Sequence, residues 1–233
     1  MKVELLTKTI GVNSYSALTV DEIIAAVARH AVIKNDSGRL VKYLIQHAHW
    51  SPMEHIHYTF MIETSRAIAT QILRHKSGHF QQHSLRYSNQ IGIEPIEFRA
   101  EHETNRQSST DVIGTINPDF SVIGTRAATW GQISAIENAK RALQEVENAY
   151  MDLVESGIAK ETARAILPLA STTRLHFTAN LRDFLAFLNV RCDEHAQKEI
   201  QAIATAMGEE LEKEHEYLKE INWRNGMFMF VKV

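Results

Sequence analysis

The sequence has one cysteine, Cys192, and no long apolar run. A single cysteine excludes a disulfide within the chain and is typical of proteins of the reducing cytoplasm. The first ten residues, MKVELLTKTI, lack both the apolar core and the small-residue cleavage site of a secretory signal. No segment approaches the roughly eighteen consecutive apolar residues that a membrane span needs. These absences predict a soluble, cytoplasmic protein.

A strong net charge and a glycine-rich phosphate loop are also absent. The formal net charge of the 233 residues is -3 at pH 7, which argues against an extended surface for a nucleic acid polymer or a membrane. The ten glycines are scattered and form neither a GxGxxG element nor a P-loop. A bound nucleotide would therefore be held by side chains and helix termini. With 44% hydrophobic residues, the chain can bury a substantial core in one large domain or two small ones.

The spacing of apolar residues predicts an α+β fold in which helices dominate and the sheet is small. Alternation predicts strands over residues 57–62 and 172–178, a weak edge strand over 1–6 and an extended segment over 92–98. Helical spacing predicts helices over residues 20–32, 40–47, 65–74, 134–156, 160–166, 180–188 and 193–217. Residues 99–130 are polar and weakly periodic, which predicts an irregular insertion or loop.

Several predicted helix ends carry capping residues. Thr19 is the predicted N-cap of the first helix, and Ser134 with Glu137 forms a predicted capping box for the longest one. Gly157 is the predicted stop of that longest helix, because glycine adopts the left-handed conformation without strain. Asp193 is predicted to be the N-cap or a first-turn acid of the last helix.

The most informative segment is RHKSGHFQQHSLRY, which runs from Arg74 to Tyr87. No apolar helix face could bury so many cationic and amide side chains. The guanidinium group is planar and matches phosphate and carboxylate, and lysine adds a point charge. Because the chain as a whole is slightly acidic, this local cationic cluster predicts a small anionic ligand rather than duplex nucleic acid.

The three histidines of this segment admit more than one role. His75, His79 and His83 are four residues apart, so on a helix they would share one face and could bind a transition metal. Gly78 lies within that stretch, however, and no acidic residue lies between positions 64 and 93 to complete a metal site. The other interpretations are local hydrogen bonding in a loop, or membership of a site for a phosphate and an aromatic ring.

Two further groups admit both a structural and a functional interpretation. Arg191 and His195 are one helical turn apart and would face the same way, although the spacing alone favours a helix start with solvated charges. Glu54 and His57 could suggest a metal site, but His57 lies on a predicted strand and Glu54 precedes it. Their convergence is therefore not implied.

Four ordered segments resemble the flavin-dependent thymidylate synthases, a family unrelated to the folate-only thymidylate synthases. Arg74-His75-Lys76, followed by seven residues and Ser84, resembles the RHR-x7-S signature of that family. The other segments are SPMEH at 51–55, RAILPL at 164–169, and NLR at 180–182 with LNVRCDEHAQ at 188–197. The resemblance spans about residues 40 to 200.

The resemblance implies a single domain over residues 1–233, with a small mixed or antiparallel sheet flanked by long helices. It implies a homotetramer whose active sites lie between subunits. The implied activity is that of a methyltransferase in dTMP biosynthesis, which converts dUMP into dTMP. In such an enzyme FAD is bound, methylenetetrahydrofolate donates the carbon and NADPH is the reductant. Neither a metal, nor a nucleic acid polymer, nor a membrane is implied as a partner.

The matched motifs also imply which residues form the sites. Contacts with dUMP are implied for Gln71, Ile72, Leu73, Arg74, Gln82, His83, Ser84, Leu85, Arg86, Arg164 and Arg191. Contacts with FAD are implied for His49, Ser51, Glu54, Arg74, His75, Lys76, Gln82, Asn180, Leu181, Arg182, Ala186 and His195. Arg191, which would polarise the uracil, and Ser84, which would position the phosphate or the ring, are implied as catalytic residues.

Three positions depart from the pattern of the family. Lys76 replaces the usual third arginine, Gln82 stands where many members have glutamate, and Ala186 stands where some have an asparagine that contacts FAD. These departures leave open a catalytically impaired protein that binds a nucleotide or a flavin. A metal-dependent hydrolase built on the three histidines with Glu54 is the other alternative.

The chain offers two nucleophiles near these motifs, and neither is predicted to act as one. Cys192 directly follows Arg191, so it should point away from the site that Arg191 faces. Ser84 has no adjacent base that could activate its hydroxyl group.

Overall fold

The computed structural model describes residues 1–30, 37–87, 92–105, 109–221 and 223, and it confirms the α+β class. The strands are β1 (Lys2–Lys8), β2 (His57–Ser65), β3 (His79–Gln82), β4 (Ile96–Glu101), β5 (Ser109–Ile116), β6 (Val122–Gly124) and β7 (Thr172–Asn180). The α-helices are α1 (Val20–Arg29), α2 (Ser37–Gln46), α3 (Arg66–Ile72), α4 (Trp130–Glu155), α5 (Lys160–Ala163), α6 (Leu181–Arg191) and α7 (Lys198–Glu214). Short 3₁₀ helices span Asn13–Tyr15, Ser51–His55, Arg164–Ile166 and Glu216–Glu220.

The larger sheet has the strand order β1-β2-β7-β3, with β1 at an edge as predicted. Tyr58, Phe60 and Ile62 alternate along β2 and are all fully buried. This burial confirms the strand with one strongly apolar face. Both long strands, β2 and β7, extend two or three residues beyond the predicted segments.

The prediction of an irregular loop over residues 99–130 is wrong. The stretch contains the end of β4, together with β5 and β6, which form an antiparallel sheet of order β4-β5-β6. Register shifts follow Phe98 and Arg99, and the first half of β5 is exposed. Both features remove the period-two apolar signal from the sequence, so the strands could not be recognised from alternation.

The helix termini confirm some capping predictions and correct others. Thr19 forms a capping box with Glu22, and Gly157 has the left-handed φ of 82° that a stop requires. The box predicted at Ser134 is wrong, because α4 begins earlier with Thr129 as its N-cap. Asp193 is not a helix cap either, since α7 begins at Lys198. The predicted end of the first helix, at residues 31–32, lies outside the described residues.

The chain divides into two compact units. The first unit comprises residue 1 with residues 63–70 and 82–174, and the second comprises residues 2–62, 71–81 and 175 onwards. In the second unit, Phe177 packs against Phe184 and Phe187 with ring centroids 4.8 and 5.5 Å apart. In the first unit, Ile116, Ile136 and Tyr150 are buried. The single-domain organisation stays a prediction.

The described helices do not have the features of membrane spans. None of them combines the length and the apolar character that crossing a bilayer requires.

Candidate active site

Arg191 is the last residue of α6, and two acceptors hold its guanidinium group. Its Nε donates to Nε2 of His75 at 3.0 Å, and its Nη2 donates to the main-chain oxygen of Gln71 at 3.2 Å. Within the part of the chain that the structure describes, its Nη1 makes no hydrogen bond. The guanidinium group is therefore fixed along one edge and open along another.

His75 accepts this hydrogen bond as a neutral ring. An arginine can only donate, so Nε2 of His75 carries the lone pair and the ring proton lies on Nδ1. Burial, and then the charge of Arg191, lower the pKa of His75 to about 4. The ring also packs edge-on against Phe187, with centroids 4.8 Å apart. At neutral pH the site thus contains an uncharged histidine beside a charged arginine.

The end of α3 adds two more of the predicted ligand residues. The Nε2 of Gln71 donates to Oε1 of Gln197 at 2.7 Å, which fixes the amide group. Burial, and then the nearby charge of Arg74, lower the pKa of Arg191. Two cations that lie close together favour an anionic or electron-rich ligand. The structure therefore brings Gln71, Arg74, His75 and Arg191 together in the second unit.

Most of the residues predicted to contact FAD also belong to the second unit. Glu54, in the 3₁₀ helix that Ser51 begins, forms an ion pair with Arg182 in the first turn of α6. Asn180 caps this helix, since its side-chain oxygen accepts from the main-chain N–H of Asp183 at 2.9 Å. Glu54 is thereby committed to an arginine rather than to His57.

Asp183 lies beside this ion pair and was missed by motif matching. Burial raises the pKa of its carboxyl group, against the opposing charge of Arg182. A half-buried carboxyl group in a predicted cofactor site is a candidate hydrogen-bonding partner for a ligand. Asp183 lies three residues after Asn180, in the first turn of a helix. From the sequence alone it would be interpreted as an acid that stabilises the helix dipole.

The remaining predicted FAD residues are more peripheral. His49 is exposed and lies edge-on to Tyr43, with ring centroids 6.4 Å apart. Lys76 is exposed, and Ala186 is half-buried in the middle of α6. His195 lies in the turn after α6, where its Nδ1 is 2.9 Å from Asp193. The prediction that His195 shares a helical face with Arg191 is therefore wrong.

Three predicted contact residues have side chains that belong to the core. Ile72 and Leu181 are fully buried, and Leu85 is 4% exposed. The main-chain N–H of Leu181 is used as well, since it donates to the oxygen of Ile56 at 2.8 Å. Ligand contacts at these positions would involve main-chain atoms only. Leu73, in the turn after α3, is exposed.

The first unit contains the predicted phosphate loop, residues 82–86. Gln82 donates to Oγ1 of Thr173 at 3.2 Å, and the N–H of His83 donates to the oxygen of Arg174 at 2.8 Å. Ser84 begins a tight turn, in which its Oγ accepts from the N–H of Arg86 at 3.3 Å. The start of β7 therefore anchors the loop. The guanidinium group of Arg86 is exposed and lies 3.1 Å from Glu161.

Arg66, the first residue of α3, is a functional candidate that motif matching missed. Its Nη2 donates to the oxygen of His83 at 3.4 Å, and its Nε is buried without a partner among the described residues. Burial, and then the charge of Arg164, lower the pKa of Arg66. No carboxylate pairs with either arginine within the described ranges. The sequence contains no acid between positions 64 and 93, but this absence does not distinguish Arg66 from the other cations of the same stretch.

A pocket of about 360 Å³ also opens in the first unit. Its lining includes Glu63, His83, Glu94 and Arg174. Arg174 already makes two hydrogen bonds to Glu63, at 3.0 and 2.6 Å. Because its charges are largely paired, this pocket is a weaker phosphate site than Arg66 and Arg164, which have no carboxylate partner among the described residues.

The histidine trio does not form a helical face. His79 lies on β3, while His75 and His83 lie outside any helix. Among the residues that the structure describes, no three histidine, cysteine, aspartate or glutamate side chains are grouped closely enough to hold a metal ion. The hydrolase alternative has no support from this geometry.

Cys192 is 2% exposed, and that its side chain points away from the side that Arg191 presents stays a prediction. A buried thiol beside a cationic site is positioned as a core residue rather than as a nucleophile.

The family described as Thymidylate synthase complementing protein matches residues 6–216 of the chain. The chain belongs to this family. It is 36% identical to the flavin-dependent thymidylate synthase of Synechocystis sp. over 204 residues, which are 86% of this chain and 88% of that protein. It is 34% identical to the flavin-dependent thymidylate synthase of Thermotoga neapolitana over 172 residues, 72% of this chain and 68% of that protein. These matches confirm the resemblance seen in the motifs.

The stretch of this chain that matches the family, residues 6–216, includes every predicted site residue, because these lie between positions 49 and 195. It ends before Tyr217, Leu218 and Trp223, all of which are buried in the second unit. The final described turn is thus core structure beyond the matched span. The individual ligand contacts stay predictions.

Proposed function

We propose that this protein is a flavin-dependent thymidylate synthase that converts dUMP into dTMP. Methylenetetrahydrofolate is its carbon donor and NADPH its reductant. Family membership and the names of the relatives support the reaction class. The observation that carries the proposal is Arg191, a half-buried guanidinium group clamped along one edge and open along the other, with Arg74 nearby.

Arg191 is the residue that activates the pyrimidine. C5 of uracil is a poor nucleophile until electron density is pushed into the ring, which places negative charge on its carbonyl oxygens before C5 attacks. A guanidinium group that donates to a carbonyl oxygen stabilises this charge, and its partial burial strengthens the interaction relative to water. The two fixed acceptors on Arg191 lower the cost of ordering it at the moment of reaction.

The phosphate of dUMP is bound by arginine side chains and by the loop that contains Ser84. Arg66 and Arg164 are two neighbouring cations without carboxylate partners in the described structure, and Ser84 adds a hydroxyl group. A phosphate dianion gains two charge-assisted interactions there and relieves the repulsion between the arginines. Arg86 contributes after it exchanges its exposed partner Glu161 for the phosphate.

FAD fits the donor set of the second unit. Arg74 and Lys76 are exposed cations, and Arg182 keeps guanidinium donors beyond those that Glu54 takes, so positive charge is available for a diphosphate. When bound, FAD supplies the reducing equivalents, taken from NADPH, that convert the methylene group into a methyl group. Lys76 in place of arginine keeps the charge but loses the bidentate fork, so it should weaken cofactor binding without removing it.

The assembly and location follow from the same proposal. We expect a homotetramer with active sites between subunits, as the family resemblance implies. We expect the protein in the cytoplasm, where a single buried cysteine stays reduced.

Purified protein tests this function directly. It should be yellow, or become yellow with FAD, and NADPH should bleach the colour until air restores it. With dUMP and methylenetetrahydrofolate it should form dTMP, measured by chromatography, while Arg191→Ala should keep the flavin and lose dTMP formation. Colourless protein that FAD cannot reconstitute contradicts the proposal. Flavin-loaded protein that releases no tritium from dUMP labelled at C5 supports the impaired binding protein instead.

A further inference from the structure

We propose that His75 is a positioning residue for Arg191, which it holds so that only one edge of the guanidinium group can meet the substrate. This inference rests on the proposed function. It goes beyond the cofactor contact that the family motif implies for His75.

The geometry of the guanidinium group gives the first step. Nε–H and one N–H of Nη2 form one edge, while Nη1 and the other N–H of Nη2 form a second edge. His75 and the main chain of Gln71 occupy the first edge, at 3.0 and 3.2 Å. The second edge, with two parallel donors, remains for a ligand. A planar ring with a carbonyl oxygen can then approach Arg191 from one direction only.

The packing around His75 gives the second step. Phe187, against which its ring lies, is one helical turn before Arg191 on α6, so both side chains lie on one face. The N–H of His75 donates to the oxygen of the fully buried Ile72 at 3.1 Å. Gly78 donates to the oxygen of His75 at 3.2 Å, and a Cβ at Gly78 would meet the ring of Phe177 at 2.2 Å. The core therefore holds the imidazole in place.

The protonation state gives the third step. Burial and the charge of Arg191 lower the pKa of His75 to about 4, so the lone pair on Nε2 is available throughout the neutral range. A histidine with its ordinary pKa, near 6.5, would be partly protonated there and would repel Arg191. The charges that face this pair come from Arg191 itself and from Arg74 beyond it.

Two substitutions at His75 separate positioning from packing. His75→Phe keeps an aromatic ring against Phe187 and removes the acceptor. His75→Gln loses the ring but keeps an acceptor oxygen near the place of Nε2. Loss of a hydrogen bond to a charged group should raise the dissociation constant for dUMP about 10-fold to 100-fold in His75→Phe. The dissociation constant of His75→Gln for dUMP should be about tenfold closer to the wild-type value than that of His75→Phe. The flavin content of both variants is recorded as well.

A double-mutant cycle shows whether His75 acts through Arg191. In an Arg191→Lys background the clamped edge no longer exists, so adding His75→Phe should weaken dUMP binding no further. If the two effects add in full, or if weaker dUMP binding simply follows flavin loss in both His75 variants, the proposal is overturned.

A measurement on the protein without ligands keeps this inference separate from the proposed function. Nitrogen-15 spectra of histidine-labelled protein, assigned with His75→Gln, should show an unprotonated Nε2 down to about pH 5. Arg191→Gln should raise the pKa of His75, because it removes a nearby positive charge. A His75 pKa of about 6.5 in wild type overturns the proposal whatever the enzyme assay shows. Absence of dTMP with the expected spectra contradicts the proposed function alone.

Discussion

Tyr58→Phe should destabilise the second unit through a single buried hydroxyl group. Oη of Tyr58 lies 2.5 Å from Nε2 of His215, and Nδ1 of His215 lies 2.6 Å from Oδ1 of Asp21. Tyr58 and His215 are both fully buried. Burial, and then the charges of Glu214 and Asp21, raise the pKa of Tyr58, so its hydroxyl group stays protonated and donates to the histidine.

The expected loss of unfolding free energy follows from the polar group that Tyr58→Phe leaves without a partner. The substitution keeps the ring but strands the acceptor on His215 in the interior, where no water replaces the lost donor. An unsatisfied buried polar group costs about 1–3 kcal/mol of unfolding free energy. The network joins α1, β2 and the residue after α7, so its loss should loosen the last described turn.

Urea unfolding followed by circular dichroism measures this loss. Tyr15→Phe is the matched control, because Tyr15 is exposed and its substitution should change the unfolding free energy by less than about 0.5 kcal/mol. In a His215→Leu background, Tyr58→Phe should cost less than it does alone, since the stranded acceptor is gone. Equal unfolding free energies for Tyr58→Phe and Tyr15→Phe would refute the reasoning.

Three other expectations follow from the same structure. Arg66→Met should raise the dissociation constant for dUMP about tenfold or more in a binding titration. Arg141 is an exposed arginine on α4, so Arg141→Met should leave this constant unchanged. Equal values for both variants would show that Arg66 does not bind the phosphate. Cys192→Ala should keep dTMP formation in the chromatographic assay, and a folded but inactive variant would restore a thiol mechanism. Burial raises the pKa of both Tyr58 and Tyr217, so the unfolded state loses protons first and the unfolding free energy should fall above about pH 10; a flat pH profile there contradicts their burial as neutral groups.

Local sequence patterns were sufficient to predict a strand with a continuous apolar face and a helix end with a glycine stop. The alternation along β2 and the stop at Gly157 each depend on neighbours in sequence, and both were predicted. The start of α4 shows the limit of such patterns. Thr129 with Gln132, and Ser134 with Glu137, carry the same signature five residues apart, and only the first caps the helix. Since the local chemistry is equivalent, packing beyond the signature decides between them.

The motifs named several side chains that the structure brings together, but they did not reveal the hydrogen bonds between them. The motifs predicted that Arg191 and His75 are site residues, and their hydrogen bond joins positions 116 residues apart. No local period reports such a contact. Arg66 was missed for a related reason. Its position at the start of an apolar helix is ordinary, and its significance depends on the neighbouring charge of Arg164, which only the folded chain reveals.

The opening of the cationic segment shows why counting charges in sequence misleads about mechanism. Arg74, His75 and Lys76 read as three potential cations, but only the arginine and the lysine are exposed. His75 packs against Phe187, and burial, followed by the charge of Arg191, lowers its pKa. Its ring is therefore neutral and accepts a hydrogen bond from Arg191 instead of repelling it. Replacing Lys76 by arginine would then change the affinity for an anion without altering the hydrogen bond between His75 and Arg191. If the proposed roles hold, the cations that bind the ligand are distinct from the neutral His75, which orients the guanidinium group of Arg191.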